Sequence, residues 1–138
     1  MRLGGISVSC AVLAAMLALA PAAAHAEKHS VAVFSGLDKI TARATSFSAT
    51  VDVPQRYGAL EVLVRACHKA PPEETPRTAA YVEVHQVDTA TGEVQPHPIF
   101  KGWMFAESPG LNALEHPVYD IWVTDCRNSS GAAPSGNE

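Results

Sequence analysis

Ala59-Leu60-Glu61-Val62-Leu63-Val64-Arg65-Ala66-Cys67 decides how this chain folds. Leu60, Val62, Val64 and Ala66 share one side of an extended backbone while Glu61 and Arg65 take the other, the two-residue period of a strand with one buried face. A second stretch, Val118 to Cys126, reads the same way, with Tyr119, Ile121 and Val123 on one face and Asp120, Trp122, Thr124 and Cys126 opposite. Each stretch ends on a cysteine.

Outward from these two, the same composition recurs in short runs: Ser30–Phe34, Ile40–Ser48, Ala49–Val53, Ala79–Val87, Val94–Phe100 and Gly102–Ala106. Turn residues separate them at Ser35–Asp38, Pro54–Gly58, Pro71–Pro76 and Asp88–Gly92. Three prolines in Pro71–Pro76 exclude helix there, and Asp88–Gly92 between two strand-like runs signals a hairpin. Only Leu111 to Glu115 suggests a helical turn, kept short by Gly110 before it and His116-Pro117 after it. The expected fold is all-β.

The first 26 residues differ from the rest. Arg2 gives a positive start, Ile6 to Ala20 an apolar run, and Pro21 a break before Ala24-His25-Ala26, the small-x-small pattern of an export signal cut after Ala26. The apolar run is shorter than a bilayer requires, and no later stretch is long enough to span one. The reading is therefore residues 1–26 as signal peptide, 27–127 as one β domain and 128–138 as a disordered tail, in the periplasm or outside the cell. One domain of about 110 residues excludes a multidomain enzyme. The formal charge of −4 becomes one unit more negative when Arg2 leaves, which argues against nucleic acid or an anionic membrane surface as partner.

Cys10 leaves with the leader, so Cys67 and Cys126 remain in a compartment that oxidises thiols and are expected to form a disulfide. It would contribute roughly 4 kcal/mol on the chain-entropy model. Full antiparallel pairing of the two cysteine strands would leave the sulfurs about 20 Å apart, whereas a bridge needs Cα atoms within about 7 Å. The strands therefore run in similar directions, lie in facing sheets, or overlap only at their ends. A β-sandwich or partly open barrel satisfies this better than a meander.

The densest group of chemically capable residues runs from Lys101 to Asp120. Trp103 and Phe105 share a strand face suited to stacking a sugar or gripping a peptide, although core packing also claims most large aromatics of so small a domain. Glu115, His116 and Asp120 could form an acid–histidine group, and Ser108 sits on a Gly/Pro turn. No Gly-x-Ser-x-Gly elbow accompanies them, so no catalytic residue is assigned. His29, His68, His85, His97 and His116 lack the close spacing of zinc ligands, and no metal or cofactor is expected. The loop from Ser108 to Pro117 exceeds what a hairpin needs, which makes Trp103, Ser108 and Asn112, with Glu115, His116, Tyr119 and Asp120, the candidate binding residues.

Gly36-Leu37-Asp38-Lys39-Ile40-Thr41, Tyr57-Gly58-Ala59-Leu60, Gly102-Trp103-Met104-Phe105-Ala106, His116-Pro117-Val118-Tyr119-Asp120 and Asp120–Cys126 together resemble a domain-of-unknown-function family of small exported proteins of Gram-negative bacteria. The resemblance covers nearly all of the chain between the leader and Cys126. Ala42 and His68 stand where that family more usually has glycine and an aromatic residue. It implies an exported single domain and supplies no catalytic residue. The expected role is a non-enzymatic β-domain that binds or supports an envelope protein or glycan. The alternative is a hydrolase of envelope material using His116 and an acid.

Overall fold

A computed structural model describes residues 26–129. Nine strands follow in order: β1 (Glu27–Lys28), β2 (Val31–Asp38), β3 (Arg43–Thr50), β4 (Gln55–Tyr57), β5 (Leu60–Lys69), β6 (Thr78–Val87), β7 (Val94–Phe105), β8 (Leu114–Glu115) and β9 (Tyr119–Arg127). They form two antiparallel sheets. The five-stranded sheet runs β5, β6, β7, with β1 and β4 both paired along the outer edge of β5, and the four-stranded sheet runs β3, β2, β9, β8. The two are not closed into a barrel, so the fold is a β-sandwich.

Alternation along the strands supplies the core. Leu60, Val62 and Val64 of β5, Val82 and Val84 of β6 and Met104 of β7 meet Phe34, Ile121 and Val123 of the other sheet, all buried. Each such side chain contributes about 1.5–3 kcal/mol on leaving water.

The disulfide joins Cys67 and Cys126 across the sheets, with Cα atoms 5.8 Å apart. Strict two-residue parity gives the wrong face for both cysteines. In β5 the register shifts between Val64 and Ala66, leaving Arg65 as an extra residue, so Cys67 and not Ala66 turns inward. In β9 Val123 pairs with Phe34 and Asp125 with Val33, leaving Thr124 extra and turning Cys126 inward. A β-bulge in each strand thus brings the sulfurs together.

Several expected boundaries move. Ser35–Asp38 continues β2, because Gly36 pairs with both Thr45 and Ile121. Ile40–Ser48 and the first two residues of Ala49–Val53 become one strand, β3, after a turn at Lys39–Ala42 in which Asp38 Oδ1 accepts the Ile40 and Thr41 N–H groups at 2.9 and 3.1 Å, and Val51–Val53 turn instead of extending, with Asp52 at φ 62°. Ala42 has φ of 54°, the left-handed conformation that glycine adopts without strain, at the position where the resembling family more usually has glycine. Pro54–Gly58 contains β4, and Val94–Phe100 and Gly102–Ala106 are one strand, β7. The Leu111–Glu115 helical turn is absent: Leu114 and Glu115 pair with Ile121 and Asp120 as β8. The Asp88–Gly92 hairpin forms as expected, Asp88 Oδ1 accepting the Ala90 N–H at 2.8 Å and Gly92 at φ 76°. The leader lies outside the described residues except Ala26. Of the tail, Asn128 and Ser129 are described, the Ser129 N–H donating to Ser30 Oγ at 3.0 Å, and the rest lies outside.

Candidate functional site

The expected site residues divide between the two ends of the sandwich. At the end away from the disulfide, Phe34, Phe47, Tyr57, Tyr119 and His116 form a column of rings with successive centroids 5.2, 4.7, 5.4 and 5.7 Å apart. Two glycines make room for it. A Cβ on Gly36 would lie 2.4 Å from the Tyr57 ring, and one on Gly58 would lie 2.4 Å from the Tyr119 hydroxyl.

His116 is committed within this column. Its Nδ1 accepts the Val118 N–H at 3.1 Å and its Nε2 donates to Gln86 Oε1 at 3.0 Å, which assigns the proton to Nε2. Gln86 Nε2 in turn donates to the Ala59 carbonyl at 3.2 Å, and the Ala59 N–H donates to the Tyr119 hydroxyl at 3.3 Å. The chain of bonds fastens the two sheets at one end as the disulfide does at the other. Burial, reinforced by the nearby Asp38 charge, raises the Tyr57 hydroxyl above its ordinary pKa. Asp120 faces Glu115 across the β8–β9 pair and holds Lys39 at 2.9 Å, while Glu115 is exposed. Glu115, His116, Tyr119 and Asp120 are thus neighbours, but His116 bonds Gln86 and Val118 rather than either carboxylate.

Ser108 is elsewhere. Its N–H donates to the Phe105 carbonyl at 3.3 Å and its carbonyl accepts from Leu111, and no hydrogen bond joins its hydroxyl to His116 or to an acid among the described residues. Asn112 lies along the outer edge of β7, where its Nδ2 donates to the Trp103 carbonyl. Gly102 permits that approach: a Cβ there would come within 3.3 Å of the amide nitrogen. The long loop therefore folds back and covers the edge of the sheet.

Trp103 belongs to a different cluster, on the outer face of the five-stranded sheet. Tyr81 is its direct partner on β6, and His68 reaches it diagonally across Ala79, with ring centroids 5.4 and 5.7 Å from the indole and both contacts edge-to-face. Trp103 is still 37% exposed. Two cavities flank it. One, of about 510 Å³, has Ala70, Ala79 and Phe105 among its apolar lining and Glu74, Arg77 and Glu107 among its polar groups. The second, of about 600 Å³, shares Trp103 and His68 and extends past Lys28, His29 and Arg65.

The floor beneath the indole is well fixed. Cys67 precedes His68, and Cys126 Sγ lies 3.9 Å from the Ala79 carbonyl, so the disulfide sits directly under the cluster. Glu107 Oε2 accepts the Thr78 N–H at 3.0 Å and ties the β7 exit to the start of β6. Arg65, the extra residue of the β5 bulge, bonds Asp52 at 3.0 Å and approaches Glu83 at 3.7 Å, and the Asp52 bond leads in raising its pKa. Rings held on a rigid sheet present a surface on which a ligand can stack. No group of three or more His, Cys, Asp or Glu among the described residues is placed to hold a metal ion.

The sequence reading found Trp103 and the face it shares with Phe105 but missed His68 and Tyr81. The signal for His68 was the aromatic residue usual at its position: an imidazole meets the indole edge-on where a larger ring would.

The family described as "Uncharacterized protein conserved in bacteria" (DUF2155) matches residues 32–126. This chain belongs to that family. The DUF2155 match runs from Ala32 in β2 to Cys126 and includes both bridged cysteines, the aromatic column and Trp103. The chain is also 26% identical over 92 residues to "Uncharacterized protein RP359" of Rickettsia prowazekii (strain Madrid E), an alignment covering 65% of this chain and 56% of that protein. The chain therefore spans little more than half the length of that relative. No solved structure matches.

Proposed function

We propose that this DUF2155 protein is a small exported β-domain that binds a cell-envelope component without chemistry of its own, with Trp103 as its anchor. The supporting observation is an exposed indole, braced by His68 and Tyr81, between two cavities on a sheet face underlain by a disulfide. A periplasmic or extracellular location fits the Ala24-His25-Ala26 cleavage pattern and the paired cysteines. The hydrolase reading has less behind it, since both ring nitrogens of His116 are occupied in fastening the sheets.

The test places a photo-crosslinking phenylalanine analogue at position 103 and, separately, at exposed Ile40 near the opposite end of the sandwich. Envelope adducts should form from position 103 in material whose N-terminal sequence begins at Glu27. Equal yields from both positions, or adducts from neither, would refute the binding role. A product that retains Met1 would refute the export.

A further inference from the structure

Resting on that reading, we propose that the Trp103 cleft binds an acidic oligosaccharide, with one sugar ring on the indole and a negatively charged substituent in the hollow beyond His68.

The edge of the sheet directs recognition to its face. The Ala106 N–H donates to the Thr78 carbonyl, so by antiparallel alternation Lys101 and Trp103 turn their backbone groups away from β6 toward the outer edge. An extended peptide adding itself as a further strand would need those groups. The Trp103 carbonyl is taken by Asn112, the Phe105 carbonyl accepts from Ser108, and Pro96 and Pro98 have no N–H to offer. A ligand of this region is therefore gripped by side chains on the outer face.

Those side chains suit a sugar. The negative π-face of an indole attracts the C–H face of a ring, and Tyr81 and His68 hold it in place beforehand. Arg77 lies 3.9 Å from Glu74, and Glu107 holds the Thr78 N–H with one oxygen, so this hollow carries more carboxylate than guanidinium: it disfavours an anion while offering acceptors and a donor to hydroxyl groups, which can use both. The hollow on the other side differs in charge: Lys28 lines it as a cation with no carboxylate in the lining to hold it, beside the His29 ring and an Arg65 already engaged by Asp52 and Glu83. Because both hollows share Trp103 and His68, one ligand can span them, and both volumes fall in the usual range of small-molecule sites. A saccharide with a neutral ring at one end and an acid at the other matches this asymmetry.

Indole N–H resonances give the test, since the chain has two tryptophans and Trp122, in the other sheet, serves as internal reference. Trigalacturonate should shift the Trp103 signal with a Kd of about 1 mM or tighter. Neutral chitotriose should shift it at least about threefold more weakly in low salt, the gap closing as salt screens the charges. Binding to the Trp103 variants, which lack that indole reporter, is read from the backbone amide resonances of His68 and Tyr81: Trp103→Ala should abolish both responses and Trp103→Phe should keep weakened binding, while Lys28→Gln, followed at the Trp103 indole, should remove only the preference for the acidic trimer. Equal affinities in low salt, or no shift of Trp103 by either trimer at about 10 mM, overturn the proposal. A response to a proline-rich peptide but to neither sugar overturns it while leaving the binding role intact. Silence toward these probes and toward whole envelope extract removes both.

Discussion

Gly58→Ala should be among the most damaging single-atom additions to this domain, and the structure divides its effect into two parts. Gly58 has φ of 54°, which costs a residue bearing Cβ about 1–2 kcal/mol. The added methyl would also stand 2.4 Å from the Tyr119 hydroxyl and 2.5 Å from the adjoining ring carbon. That ring cannot move aside cheaply, because it is stacked on His116, meets Tyr57 edge-on and accepts the Ala59 N–H. Overpacking of this kind adds about 1–3 kcal/mol. The total is about 2–5 kcal/mol, a melting-temperature loss of at least about 10 °C for a domain of this size. Gly92→Ala is the control: its φ is 76° but nothing lies within 4 Å, so only the conformational part applies, about 1–2 kcal/mol. Thermal and urea denaturation of the two variants should differ by the packing contribution, and Tyr119→Leu in the Gly58→Ala background should recover part of it. Equal losses for both glycines would show that the aromatic column yields freely, and the account of how the sheets are fastened at that end would fall.

Ala42→Gly should raise stability by about 0.5–1 kcal/mol, the relief of a left-handed alanine less the entropy of a new glycine, read as a higher urea midpoint at constant slope. Replacing Cys67 and Cys126 together by alanine should cost about 2–5 kcal/mol, checked by denaturation against the oxidised parent, with free thiols in that parent refuting the assignment. Asp38 is held below the ordinary carboxylate pKa first by the Thr41 N–H and then by the Ile40 N–H. Its contribution is therefore present above the unfolded value near pH 4 and lost as pH falls through the lower folded value, so Asp38→Asn should flatten the acid limb of a stability–pH curve.

The fold class was legible because the β5 and β9 stretches alternate over most of their lengths and because two cysteines ending separate strands demanded facing sheets or a restricted overlap. The bulges at Arg65 and Thr124 were not legible. An inserted residue leaves no compositional mark, and its effect on parity shows only when a partner strand is present to count against. Gly36 reads as a turn residue and Gly102 as the start of a separate strand for a related reason: each is a glycine within a strand, placed there because the Tyr57 ring or the Asn112 amide presses against it, and that pressure comes from residues distant in sequence. At the candidate site, Trp103 and Phe105 were found by spacing within one strand. His68 and Tyr81 join them only through the registry of three strands, with Ala79 as the gap that lets the rings meet.

The pairing of Glu27 with Lys69 and of Lys28 with His68 gives the start of the chain a place in the cleft wall, and Ala26 lines that wall itself. A leader cut after Ala26 would exchange a peptide link at this point for an α-ammonium group that is largely protonated at neutral pH. The product would then present a new positive charge at the mouth of the cleft. Cutting that one link would thus rewrite the charge a ligand meets at the cleft wall without moving any residue of the sheet.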